Sequence, residues 1–381
     1  MKNILVVPGF VADTYSQIEE SFIELSADKD PNIKFIWLVP EISSKYNRYA
    51  KVRSENKLDE PLYVKYLRKN RVEFVVGNID KYNMIANILL FRRVFKKYNI
   101  SAVYTHFGFE RYYASFFAKL FGKKSVLNEH WHSLGTKFTA IKRIFYIFAI
   151  DYFISVSGFI SSTLPKGKQV ITIKNSLSFI ESAAPDRDVK EALKKKLRLD
   201  NNKTLILMVA SFTDIKRHDL AVEICKKVIA QRNDVMFVFL GQGELQEQIS
   251  AVVESEGLAG HIMMPGHVNN VDDYYQVADI CMLTSIGEAF GYTILEAFRH
   301  CLPFVAYNSG GPSEIIKDGI TGYLIEPENT DEFTTKLINL IKNEDLRRCI
   351  GCKAHEDLKN EFSRQRWIID IKKAFYKILD I

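Results

Sequence analysis

This 381-residue chain has no disulfide framework, no low-complexity tract and no apolar run long enough for a bilayer. Its five cysteines, Cys225, Cys281, Cys301, Cys349 and Cys352, all fall in the second half, and the odd number without regular spacing predicts reduced thiols. Cys349-Ile350-Gly351-Cys352 has the spacing of a metal knuckle, but no second pair answers it and no zinc site is expected. The most lipid-like stretch, residues 140–160, is broken by Lys142, Arg143 and Asp151, so it falls short of the roughly 20 apolar residues a span needs. The apolar part of residues 2–9 is too short for a signal peptide and reads as a first buried strand, and a cytoplasmic protein is expected. No Gly-x-Gly-x-x-Gly follows that strand, which disfavours a nicotinamide-dependent dehydrogenase.

What is present is a hydrophobic fraction of 47%, ample core for two domains at this length. Short apolar strands alternate with helical stretches. In the first half they are Ile4 to Val7, Ile33 to Val39, Glu73 to Val76, Ala102 to Thr105, Lys124 to Asn128 and Tyr152 to Val156. In the second they are Thr204 to Val209, Val235 to Leu240, Ile262 to Met264, Ile280 to Leu283, Phe304 to Ala306 and Tyr323 to Ile325. Such alternation predicts α/β architecture with two Rossmann-like parallel sheets. The polar stretch Glu181 to Asp188 fits a linker, and Lys190 to Arg198 the first helix after it.

The formal charge of +6 hides an asymmetry: residues 1–180 carry 27 Lys+Arg against 15 Asp+Glu, residues 181–381 carry 25 against 31. A basic first half points to a surface partner, and an anionic membrane is favoured over nucleic acid. Two aromatic-basic stretches, Leu62 to Lys69 and Phe91 to Tyr98, would form amphipathic helices suited to such docking.

The chemistry concentrates in Ser285-Ile286-Gly287-Glu288-Ala289-Phe290-Gly291-Tyr292-Thr293-Ile294-Leu295-Glu296, where two carboxylates stand eight positions apart around a strand-to-helix turn. A helix starting near Gly291 would gather N–H groups and its positive dipole end there, favouring a phosphate. A carboxylate on each side can hold sugar hydroxyls, and together these features suit a nucleotide sugar. A second strand and glycine turn follow in Pro303-Phe304-Val305-Ala306 and Gly310-Gly311-Pro312-Ser313-Glu314, with Pro312 placed at a first helical position. Asp318-Gly319-Ile320-Thr321-Gly322 makes the next turn. In this order the chain resembles the retaining glycosyltransferases of family 4, also called glycosyl transferases group 1, whose second domain carries E-x7-E, P-x-V-A, G-G-x-x-E and D-G-x-x-G.

That resemblance implies the GT-B fold: two Rossmann-like domains facing a central cleft, an acceptor-binding domain over residues 1–180 and a nucleotide-sugar domain over 181–361. A last helix, about 362–381, would cross back to the first domain. It implies transfer of a sugar from a nucleotide diphosphate, UDP ahead of GDP, to a glycan or lipid-linked glycan of the cell envelope, with no metal or other cofactor. Lys216 would stabilise the leaving diphosphate; Ser211 occupies the family's arginine position, and Arg217 is the candidate to replace that charge. Glu288 resembles the carboxylate that orients the donor sugar, Phe290, Gly291 and Tyr292 would present backbone N–H groups, and Glu296 resembles the ribose ligand. Val268, in the loop Gly266 to Asn270, would lie against the base, while Gly241-Gln242-Gly243 reads as a structural turn. In the first half, Gly9 matches the glycine loop near the donor phosphates, and His130 matches the active-site histidine, with His106 and His132 as rivals. A nucleotide-sugar epimerase of the same fold, or a catalytically degenerate glycan-binding partner of another transferase, would share much of this pattern.

Overall fold

The computed structural model describes residues 1–9, 17–40, 60–130, 139–178 and 187–381. Phe10, His132 and most of the expected linker lie outside them. The chain forms two units: Met1–Ser176 with Arg364–Ile381, and Leu177–Ser363.

In the first unit, seven parallel strands lie in the order β3-β2-β1-β4-β5-β6-β7: β1 Lys2–Val7, β2 Ile33–Val39, β3 Phe74–Val76, β4 Ile100–Thr105, β5 Lys124–Glu129, β6 Tyr152–Ser155 and β7 Gln169–Thr172. Strand β1 is apolar on both faces because both are covered. Ile4 and Val6 join a core with Phe22, Trp37, Tyr63 and Phe375, while Leu5 and Val7 join the opposite core with Phe91, Val94 and Phe117. The helices Gln17–Ala27, Leu62–Lys69 and Arg364–Leu379 thus cover one face, and Met84–Lys97 and Glu110–Leu120 the other.

Two expectations are corrected here. Strand β7 was not foreseen; it is an edge strand whose residues all keep some exposure, so it lacks the continuous apolar run of a buried strand. The last helix starts at Arg364 rather than Phe362. Phe362 is buried within the second unit, where its carbonyl accepts from the N–H of Leu177 at 3.0 Å. Arg364 opens the helix against Glu24 and Glu20, at 3.2 and 3.5 Å.

In the second unit, six parallel strands run β10-β9-β8-β11-β12-β13: β8 Thr204–Val209, β9 Val235–Leu240, β10 Ile262–Gly266, β11 Ile280–Leu283, β12 Phe304–Tyr307 and β13 Gly322–Ile325. Both sheets reverse direction of winding between their first and fourth strands, leaving a crevice at the carboxyl ends where ligands of such sheets bind. That reversal lies between β8 and β11 in one unit and between β1 and β4 in the other. Among the described residues, no helix is long and apolar enough to cross a membrane.

Candidate functional site

Two loops leave the reversal point of the second sheet, residues 210–217 after β8 and 284–291 after β11. They are stitched together. The Thr284 hydroxyl donates to the carbonyls of Lys216 and Arg217, at 2.8 and 2.9 Å, and the Ile286 N–H donates to the Ile215 carbonyl at 2.9 Å. The result brings the Lys216 ammonium onto the Glu288 carboxylate as a mostly buried ion pair, 21% and 13% exposed. Neither charge is strongly solvated there, so an incoming anion or hydroxyl competes with one partner rather than with bulk water.

The loop after β12 presses against this pair. The Gly311 N–H donates to the Glu288 carbonyl at 2.7 Å, and the Gly287 N–H to the Ser309 hydroxyl at 2.9 Å. A Cβ at Gly310 would stand 2.2 Å from the Glu288 carbonyl oxygen, and one at Gly311 2.1 Å from that of Phe290. Only glycines permit this approach. Gly291 caps the helix Tyr292–Arg299, Phe290 is buried beside it, and its ring meets Tyr292 edge-on at 5.6 Å.

Glu296, the fifth residue of that helix, accepts a 2.9 Å hydrogen bond from the Tyr275 hydroxyl. Burial pushes its carboxyl above the usual range, while Tyr275 and Arg299 oppose the shift. Tyr275 is itself held by the His300 ring, stacked at 5.5 Å, and His300 Nε2 lies 2.9 Å from Asp272. Motif spacing contains no sign of Tyr275, which arrives from the helix Val271–Val277. Arg217 is placed differently from Lys216. Its guanidinium donates to Asp219 at 3.0 Å and to Glu328 at 2.9 Å, so two carboxylates already balance its charge. Ser211 is exposed, and Val268 is half-buried in the loop after β10. The Gly241 turn is tied to its neighbours: Gly241 N–H reaches the Gly266 carbonyl at 3.0 Å and Phe212 N–H the Gln242 carbonyl at 3.2 Å.

The reversal point of the first sheet is built from neutral rings. Gly9 follows β1 with φ +58°, and a Cβ there would stand 2.0 Å from the Phe107 carbonyl oxygen. The Phe107 N–H donates to the Pro8 carbonyl at 3.2 Å, joining the loops after β1 and β4. His130, at the end of β5, is 8% exposed and stacks on Phe107 with ring centroids 4.5 Å apart. Burial, then the nearby Arg111 charge, push its pKa down to about 3, so the imidazole is neutral at physiological pH. His106 lies deeper, against Phe22 at 4.1 Å and Tyr104 at 4.4 Å, and burial likewise holds it neutral. Behind His130, Glu129 meets Arg111 at 3.5 Å and accepts from the Tyr146 hydroxyl at 2.6 Å. Sequence reasoning missed Arg111 and Tyr146 because they come from separate helices.

Two parallel sheets, each reversing at its first strand, are the architecture of the GT-B fold. Residues 189–357 match the family described as Glycosyl transferases group 1. N-acetyl-alpha-D-glucosaminyl L-malate synthase of Bacillus anthracis is 26% identical over 212 residues, 56% of this chain and 55% of that protein. The chain spans about half the length, or less, of the first curated relatives it matches. A glycosyltransferase from Rickettsia africae has the same fold, with a TM-score of 0.78, 22% identity, and coverage of 99% of this chain and 98% of that one. Anabaena HepE, solved in complex with UDP-glucose, does so with a TM-score of 0.77, 14% identity, and coverage of 99% and 100%.

Proposed function

We propose that the protein is a retaining, metal-independent glycosyltransferase of the cytoplasm that moves a sugar from a nucleotide diphosphate, UDP ahead of GDP, to a glycan or lipid-linked glycan of the cell envelope. The observation that carries this reading is the Lys216–Glu288 ion pair at the second sheet's reversal point, with Glu296 eight residues beyond. Lys216 would turn from Glu288 to the donor diphosphate and, with the start of the Tyr292–Arg299 helix, stabilise the charge that grows as the anomeric C–O bond breaks. Glu288, released, would accept hydrogen bonds from the donor sugar, and Glu296 from the ribose. The acceptor oxygen would attack from the face that the diphosphate leaves, its proton passing to a departing phosphate oxygen, so that configuration is retained. His130, neutral, can donate or accept one hydrogen bond to a sugar hydroxyl without carrying charge. The HepE complex with UDP-glucose supports the choice of UDP.

Thermal unfolding with UDP, GDP and ADP tests the donor site. A ligand at 100 times its dissociation constant adds roughly 2.7 kcal/mol. Selective stabilisation by UDP, lost in Glu296→Ala, is expected; indifference to all three nucleotides would count against the proposal. Proton NMR of the anomeric centre of the product then reads retention, and unchanged turnover in chelator reads metal independence. A second reading, a degenerate glycan-binding partner, draws on Ser211 and on the two carboxylates that balance Arg217. It predicts nucleotide binding without turnover.

A further inference from the structure

The helices Met84–Lys97, Glu110–Leu120 and Thr139–Ala149 lie side by side on one face of the first sheet. Their outward surface is unusually apolar. On the first helix Ile85 and Leu89 are 72% and 60% exposed, and Met84 and Ile88 accompany them; Phe116 and Leu120 on the second, and Ile144 and Phe148 on the third, are exposed as well. Single exposed apolar residues are ordinary. These are joined: Met84, Tyr112, Tyr113, Phe116 and Phe145, from all three helices, line one apolar hollow of about 180 Å³. A contiguous patch of this kind marks an interaction surface.

Its charge selects the partner. Exposed Arg92, Arg93, Lys96 and Lys97 follow the apolar residues on the first helix, and Lys119 and Arg143 flank them on the others. Glu110 is the one acid in the three helices. Leu89, Arg92, Arg93 and Lys96 also line an open groove of about 960 Å³ beside the end of β3. We propose that this three-helix face docks on an anionic lipid bilayer, its apolar residues entering the headgroup boundary and its cations meeting lipid phosphates. The helix Leu62–Lys69, on the opposite face of the sheet, is not part of it. Its apolar residues Tyr63, Val64 and Leu67 are buried, and it offers solvent only Lys65, Arg68, Lys69 and part of its aromatic surface.

The docking does not depend on glycosyl transfer, and its test is separate. The full chain is sedimented with phosphatidylcholine vesicles, with and without phosphatidylglycerol. Binding only to the anionic vesicles, weakening with salt, is expected. Ile85→Asp with Leu89→Asp should weaken it about tenfold or more, and Arg92→Glu with Arg93→Glu by a similar factor. Lys65→Glu with Arg68→Glu, an equal change of net charge on the other face, should leave it nearly unchanged. Indifference to lipid charge would overturn the proposal, as would equal loss in the Lys65/Arg68 variant. A dimer dissociated by the Ile85/Leu89 variant, with vesicle binding intact, would assign the face to a second copy of the chain instead. Stabilisation by UDP, measured on each variant, reports the donor site independently.

Discussion

The two units solve one geometric problem with opposite chemistry. Each winds a parallel sheet outward from a central first strand, and each brings two loops together at the carboxyl edge where the winding reverses. In the second unit those loops carry a Lys216–Glu288 ion pair, and the helix that follows carries a tyrosine-bound Glu296. In the first, the loop after β4 carries Phe107, stacked on a neutral His130 from the end of β5, beside a buried His106. The difference teaches that the reversal point supplies position alone. What it can bind depends on which side chains the loops present: charge for a charged ligand, rings and neutral donors for an uncharged one.

The largest effect should come from removing the charge of the second unit. Lys216→Met leaves Glu288 without its cation and, on the proposed function, the departing diphosphate without its counter-charge, and kcat should fall on the order of 100- to 1,000-fold, read from initial rates. An unaffected rate would make the ion pair a structural strut and erase the contrast between the units.

Next come the glycines on which both loop junctions depend. Gly311→Ala places a methyl 2.1 Å from the Phe290 carbonyl oxygen, and Gly9→Ala places one 2.0 Å from that of Phe107 at a positive φ. Each should cost roughly 1–3 kcal/mol in denaturant unfolding. Limited proteolysis should locate each loss in its own unit.

Acid sensitivity sharpens the contrast further. The folded pKa of His130 is about 3, below the roughly 6.5 of an unfolded histidine, so the unfolded chain binds more protons as pH falls. The contribution of His130 is therefore intact above about pH 6.5 and is lost progressively toward pH 3, by about 2 kcal/mol at pH 5. His130→Gln should flatten that slope in unfolding measured from pH 7 to 4. Glu296 works in the other sense. Its folded pKa is raised, so folding stability falls as pH rises from the unfolded value through the folded one. Glu296→Gln should thus melt higher than the parent at pH 7 while binding UDP more weakly.

The smallest effect is expected at Tyr275→Phe, which removes one hydrogen bond to Glu296. UDP affinity by calorimetry should drop severalfold, equivalent to about 0.5–1.5 kcal/mol.

Much of the second unit was legible in the sequence because its constraints are local. Strands β8 and β9 are buried apolar runs with the expected ends, and Gly310 and Gly311 are glycines because a Cβ would strike the backbone of Glu288 and of Phe290. The neighbours of His130 were not legible, since Arg111, Glu129 and Tyr146 converge from two helices and a strand. Which apolar residues of the stretch 91–98 face outward was not legible for a related reason. Phe91, Val94 and Phe95 supply apolar character to 91–98, but they face the core, whereas the exposed apolar residues Met84, Ile85, Ile88 and Leu89 lie one to two turns earlier. A periodic pattern shows that a helix has two faces without showing which face the sheet takes.

The chain leaves the first unit after Ser176 and returns to it only at Arg364. Trp367, Ile371 and Phe375 then complete the core around Phe22 and Tyr104. On the ribosome the second unit, being continuous, can close as soon as it emerges, whereas the first must wait with its sheet half covered until the later helix is made. Of the two units, the one made earlier is thus the one that finishes folding last, and a translation interrupted before Arg364 would release it with an open apolar face.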